Sequence, residues 1–409
     1  MCIRDRSSHE GLVAKALMLP PIEGTGMADN PEVKELMKLK GLASAFVHAD
    51  ELAQMFCREL FLGPPQQSWV ALARTFPAVK GTLVEPTESD ADEAPRSLNG
   101  VRFQNTDLPM IEAVDELDLK NGELAAKRTF SQAYDSWLED HKPFRFLKHP
   151  LVSGIMAVET FLEAGRLLYP HLSVLGVRRL QFQDILECPQ DLEREARITC
   201  RRQEDAGQEV RCDVQLSSAD ISPSGRHLDS WSTNYRGQVI LGPRTTPLPH
   251  WPEPAIRTND LDTQPMEPHK IQDNYEQRTG LTGRYRVLET IHGTGPGIIK
   301  GDMVYREQSD MAGLDRVRYQ YSPYLLEALM HLFVFYISIR QEEASGSIIP
   351  AGMEEMRFAR TARNGERCTL EARLRSQDDQ GFTWDARAVD ESGTPIMQLL
   401  SMRMNRFNP

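Results

Sequence analysis

Two stretches of the chain, 154 to 169 and 324 to 339, are apolar on most sides of a helix, and each is followed by stretches that alternate apolar and polar residues. After the first come "REARITCRRQ" and "QEVRCDVQLSS". After the second come "RCTLEARLRSQ" and "FTWDARAV", then the turn "DESGTP" and a closing strand "IMQLLSMRM". A helix that is apolar nearly all round has to be covered nearly all round. Antiparallel strands with one apolar face can supply that cover. The predicted plan is therefore α+β: a meandering sheet wrapped about one helix, occurring twice. No residue-level repeat is visible, so the duplication rests on pattern.

Two composition breaks set the boundaries. Residues 79–104 are acidic and rich in Pro, Ser and Gly, as expected of a linker, and residues 242–268 hold seven prolines and can hardly form a packed element. They leave an N-terminal unit at about 10–78 and two similar units at 105–241 and 269–409. The first ten residues lack the apolar core of a signal peptide and read as a ragged fragment end. No stretch approaches the length of apolar sequence that spans a bilayer. The six cysteines show neither CxxC pairs nor metal-like spacing with histidines, so reduced thiols in the cytoplasm and no metal are expected. A formal net charge of −12, with arginines scattered among acids, argues against nucleic acid as a partner.

Each apolar helix contains a carboxylate. The first begins at Ser153-Gly154 and places Ile155, Val158, Phe161, Leu162 and Leu168 at helical spacing, with Glu159 among them. An unpaired carboxyl in that setting loses hydration and is pushed towards its protonated form. Glu163 and Arg166 are expected to mark the solvated end of this helix. In "YLLEALMHLFVFYISI", Glu327 and His331 lie four apart and so share one face. A lone Glu on an apolar helix more often sits at a rim or pairs with an Arg, and a lone His more often fills a structural place. Two such helices at matching points in two similar units weigh against that plain reading.

The stretch "HKPFRFLKHPLVSGIMAVE", from His141 to Glu159, resembles the hot-dog pattern H-F-P-x2-P-x2-P-G-x4-E of 3-hydroxyacyl-carrier-protein dehydratases. It departs from that pattern by four extra residues between Pro143 and Pro150, by Ser153 where proline is usual, and by Lys142 for phenylalanine. "YDSWLEDH" (134–141) resembles the leader to the active-site histidine of polyketide synthase dehydratase domains. "LLEALMH" (325–331) resembles their LLDAALH/Q helix, with Glu327 where the family has its catalytic aspartate. The HGPxFQ element of that family is absent; its place reads "TGLTGRYRVLE" (279–289), and "HGTGPG" (292–297) is taken as a turn and makes a poor phosphate loop. The N-terminal unit resembles the end of a polyketide synthase ketoreductase, a Rossmann-like domain with "SWVALARTFP" as its last strand. It lacks the glycine-rich nucleotide turn and the Tyr/Lys motif, so no nicotinamide cofactor is expected.

The resemblance implies a double hot-dog fold after a Rossmann-like ketoreductase remnant. It also implies dehydration of a 3-hydroxyacyl thioester carried on the phosphopantetheine of an acyl carrier protein, without cofactor or metal. Partners would be the carrier protein, other synthase domains and a second copy in a homodimer. In the implied chemistry His141 removes the C2 proton, a protonated Glu327 donates to the leaving hydroxyl, and His331 holds Glu327. Ser153, Gly154 and Tyr324 are candidate substrate contacts, with the Gly154 amide at a helix N-terminus able to polarise the thioester carbonyl. His149 is nearer to Gly154 and stays open as the base, although Asp140-His141 follows the family-like leader. Glu159 stays open as the acid, since it holds that position in single hot-dog enzymes. Competing functions are a non-catalytic acyl-binding or dimerising scaffold, an isomerase or cyclase on the same fold, and a thioesterase.

Overall fold

The computed structural model describes the strand segments 16–18 and 69–71, then residues 108–203, 209–222, 227–312, 314, 317–340 and 347–407. The chain divides into two compact units, Met1–Ala94 and Pro95–Pro409. In the first, β1 (Ala16–Met18) pairs in parallel with β2 (Trp69–Ala71). The rest of the expected ketoreductase remnant lies outside the described residues.

The second unit is built on one twelve-stranded antiparallel sheet. Its first half runs β3 (Ala113–Asp118), β4 (Glu123–Phe130), α1 (Gly154–Leu168), β5 (Ser173–Phe182), β6 (Arg194–Arg202), β7 (Val210–Ile221) and β8 (His227–Gly242). Its second half runs α2 (Pro268–Arg278), β9 (Thr290–Gly295), β10 (Ile298–Val304), α3 (Pro323–Arg340), β11 (Ser347–Phe358), β12 (Arg367–Asp378), β13 (Gly381–Val389) and β14 (Pro395–Phe407). The sheet order is β3-β4-β6-β7-β8-β5-β11-β14-β13-β12-β10-β9. Read from its own end, each half is a hairpin, a helix, a strand that crosses to the inner edge, and a three-stranded meander. The two halves therefore have the same topology and meet at β5 and β11, which pair antiparallel with Val177 opposite Met356.

Alternation produces these strands as expected. In β6, burial alternates strictly from Arg194 to Cys200, turning Ala196, Ile198 and Cys200 inward. α1 packs on β4 to β8, α3 packs on β9, β10, β12 and β13, and the two helices touch each other. Each apolar helix is thus covered by its own half of the sheet, and full burial of one Leu or Phe contributes about 1.5–3 kcal/mol. At the seam the chains come so close that a Cβ on Gly176 would lie 1.9 Å from the Met356 carbonyl oxygen, and Gly176 has φ +154. Only glycine fits there without moving the backbone.

Two details differ from expectation. "HGTGPG" is mostly strand: β9 runs through Gly295, and the turn is Pro296-Gly297. The proline-rich stretch has only a short 3-10 turn, Thr258–Asp260, as regular structure, but it is pinned to the sheet. There the buried Ile256 donates its amide to Glu371 (2.9 Å) and accepts from Lys300 Nζ (2.9 Å). The described cysteines Cys188, Cys200, Cys212 and Cys368 are free and buried. Among the described residues no helix is long and apolar enough to cross a membrane, and no group of His, Cys, Asp or Glu could hold a metal ion.

Candidate active site

His141 lies in the irregular segment between β4 and α1 and is only 8% exposed. Its Nδ1 is 2.8 Å from the Leu151 carbonyl oxygen, and the Leu151 amide returns a bond to the His141 carbonyl (3.1 Å). A carbonyl can only accept, so Nδ1 carries the hydrogen and Nε2 is left as the basic nitrogen. Burial drives the imidazole below its usual pKa, partly opposed by the Glu327 carboxylate and by the bond to Leu151. His141 is therefore a neutral base. The ring packs on Tyr285 at 4.6 Å between centroids, and the Tyr285 hydroxyl is 2.8 Å from Ser153 Oγ.

The segment in place of the missing HGPxFQ element holds this histidine. Gly280 N donates to the Lys142 carbonyl (3.0 Å), Thr282 N to the Asp140 carbonyl (3.1 Å), and Thr282 Oγ1 to Asp140 Oδ1 (2.6 Å). Gly283, with φ +44, lies so close that a Cβ would stand 2.6 Å from the Asp140 carboxylate oxygens. Arg284 spans Asp140 (3.4 Å) and the buried Asp310 (3.3 Å). Sequence reasoning missed Tyr285, Arg284 and Asp310. The one signal for Arg284 and Tyr285 was the motif gap itself, where glycines replaced a recognisable histidine; Asp310, outside that segment, had none.

Glu327 and His331 occupy one face of α3, as their spacing predicts. His331 Nε2 lies 3.0 Å from Glu327 Oε1, and His331 Nδ1 lies 2.8 Å from the Tyr275 hydroxyl. Burial pushes the Glu327 carboxyl up, but His331, which hydrogen-bonds it, and then His141 outweigh burial and leave the group below its usual value. The expectation of a carboxyl already protonated at position 327 is therefore corrected: the resting group is a carboxylate.

α1 shows the opposite electrostatics at the same spacing. Glu159 and Glu163 are both fully buried. Glu159 Oε1 accepts from Gln320 N (2.7 Å), while both Glu163 oxygens accept from Met110 N (3.1 and 2.9 Å). The expectation that Glu163 marks a solvated end is wrong, because the segment around Met110, ahead of β3, covers it; Arg166 is partly exposed. Burial pushes Glu159 up to about 8, and burial together with the neighbouring Glu159 carries Glu163 well above the carboxylate range. At i,i+4 a His partner lowers a buried Glu, and a second Glu keeps a proton in the pair.

This difference has a consequence for stability. The unfolded chain releases the Glu159 proton near 4.5 and the folded one near 8, so the unfolded state binds fewer protons across that window and stability falls as pH rises through it. Each tenfold change in proton affinity is worth about 1.4 kcal/mol. Glu159→Gln, measured by thermal melting at several pH values, is expected to gain on wild type by a few kcal/mol on that scale as pH rises through the window. A constant difference between the two across the same range would show that the pair holds no proton.

The remaining candidates separate. His149 is half-buried, and the groups acting on Glu327 are His331 and His141, not His149. Ser153 Oγ is turned to Tyr285 rather than capping α1, so the helix starts without a side-chain cap beside Gly154. Phe182 lies over Gly154, where a Cβ would be 2.2 Å from its ring. The Tyr324 hydroxyl donates to Asp310 (2.7 Å) and its ring packs on Tyr285 (5.6 Å), so Tyr324 braces the wall behind His141.

Residues 258–409 match the family model described as "Polyketide synthase dehydratase N-terminal domain". No curated protein matches the chain in sequence. In fold the chain is similar to the dehydratase domain from the CurF module of curacin polyketide synthase: 16% identity, 73% of this chain and 99% of that one, TM-score 0.57. It is also similar to a trans-AT polyketide synthase dehydratase domain from Brevibacillus brevis (11%, 73% and 98%, 0.57). A third likeness is to the CurK dehydratase, solved as two inactive mutants. One has phenylalanine for a histidine (11%, 74% and 98%, 0.54) and the other asparagine for an aspartate (13%, 74% and 100%, 0.55).

Proposed function

We propose that the chain is a polyketide synthase dehydratase domain, as the family match over residues 258–409 and the likeness in fold support, and that it removes water from a 3-hydroxyacyl thioester presented on the phosphopantetheine of an acyl carrier protein. The observation that carries this reading is a neutral buried imidazole, His141, whose basic Nε2 is left free while Glu327 and His331 act on the ring from α3. That CurK mutants with a changed histidine or a changed aspartate are inactive supports the choice of this pair.

His141 Nε2 takes the proton from C2, and the Glu327 carboxylate stabilises the imidazolium that forms. One proton suffices for the whole reaction. It passes from the imidazolium to Glu327 and on to the departing C3 hydroxyl; the C2–H and C3–O bonds break, the C2–C3 double bond forms, and one water leaves. No redox group or metal is needed for this balance. In this reading the Gly154 amide, at the start of α1, polarises the thioester carbonyl as negative charge develops there. In this reading residues 11–78 are the end of a ketoreductase upstream of such a domain; the parallel pairing of β1 with β2 is the one feature among the described residues that supports it. Other synthase domains and a second copy of the chain complete the proposed assembly, in the cytoplasm.

The full chain, given a 3-hydroxyacyl pantetheine thioester, is expected to yield the 2-enoyl thioester, read by mass and double-bond position. Recovery of unchanged substrate would favour the scaffold reading. A free acid would point to thioester hydrolysis, and a shifted double bond or a ring to the isomerase or cyclase reading; each outcome would replace the proposal.

A further inference from the structure

α2 is a polar helix of which only Ile271 and Tyr275 are buried. Ile271 fills space, but Tyr275 does more. Its ring is wedged between His331 (5.4 Å) and Phe335 (5.3 Å), and its hydroxyl lies 2.8 Å from His331 Nδ1. A carboxylate oxygen can only accept, so His331 Nε2, 3.0 Å from Glu327 Oε1, carries a ring hydrogen. In the neutral ring Nδ1 is then the acceptor, and the Tyr275 hydroxyl is the group that donates to it.

We propose that Tyr275 is a positioning residue that fixes the tautomer of His331, so that His331 presents an N–H, and not a lone pair, to Glu327. This rests on the proposed dehydratase reading for its effect on rate, though not for its effect on the imidazole. Without the hydroxyl, His331 is free to carry its hydrogen on Nδ1. Its Nε2 lone pair then faces a carboxylate oxygen at hydrogen-bond distance, and the carboxylate must rotate away or take up a proton. Either change spoils the group that relays the C2 proton. The logic is that of a third residue orienting an imidazole in a nucleophile–base pair, applied here to a carboxylate–imidazole pair.

The experiment is a double-mutant cycle on the full chain. Tyr275→Phe keeps the ring and its packing and removes only the hydroxyl. It is expected to lower kcat about tenfold or more, with KM little changed. His331→Gln supplies an amide N–H to Glu327 and has no tautomer to set. In that background Tyr275→Phe is expected to have no further effect on kcat. An equal loss in both backgrounds would overturn the proposal, because a merely structural tyrosine costs the same whatever occupies position 331. Imidazole nitrogen NMR gives a readout independent of activity. His331 should carry its hydrogen on Nε2 in wild type and lose that preference in Tyr275→Phe; an Nδ1–H in wild type would also overturn it. If wild type fails to dehydrate any thioester while the NMR result holds, the functional reading falls and the assignment of Tyr275 stands.

Discussion

His141→Ala is expected to lower kcat for thioester dehydration by about 10²- to 10⁴-fold, the usual worth of one acid–base participant, while His149→Ala stays close to wild type. The contrast follows from where the rings lie. His141 is buried, bonded through Nδ1 to Leu151, packed on Tyr285 and acted on by Glu327. His149 is half-buried, in the longer connection that precedes Pro150. The pH profile should carry the same assignment. A base whose pKa is lowered by burial stays unprotonated to lower pH, so the acid limb of kcat/KM should lie below the ordinary imidazole value of 6.5. Equal losses in the two alanine variants, or an acid limb above that value, would remove His141 from the reaction.

Glu327→Gln is expected to cause a comparable loss, about 10²- to 10⁴-fold in kcat, with folding kept. The amide has the shape of the carboxylate, and its oxygen can still accept from His331 Nε2. It cannot take a proton from His141 and pass it to a hydroxyl. Glu327→Asp restores a carboxyl on a side chain one methylene shorter and should retain more activity than Gln. Single-turnover rates on the three forms, with melting curves to confirm folding, decide the matter. Gln turning over as fast as Glu would show that position 327 only braces His331.

The fold was legible because its signals are periodic. Alternation located β6, β7, β12, β13 and β14, and two apolar stretches located α1 and α3, since burial on most sides leaves little choice of residue. Pairing between β5 and β11 left no such trace: a glycine at 176 and another at 352 mark the close seam only once the partner strand is known. At the site, the i,i+4 spacing of Glu327 and His331 was readable, and the spacing predicted their contact. The charge state of Glu327 was not, because it is a balance between burial, which pushes the carboxyl up, and His331 with His141, which pull it down, and the depth of burial is set by the whole fold. Glu163 was misjudged for a related reason. Its helix looks more polar towards the end, but the segment around Met110 closes over it, and nothing local announces that cover.

The shared topology of the two halves has an implication for how such a chain can change. If identical halves assembled from separate copies of one chain, any substitution at the helix carboxyl would be made in both at once, and a single residue would have to serve reaction and architecture together. Joined in one polypeptide, the halves are released from that tie. α3 keeps its carboxyl beside an imidazole. α1 has set the corresponding face to a proton-holding acid pair that clasps Met110 and Gln320. In the proposed reading, linking the halves lets one serve as the workplace and the other as its keystone.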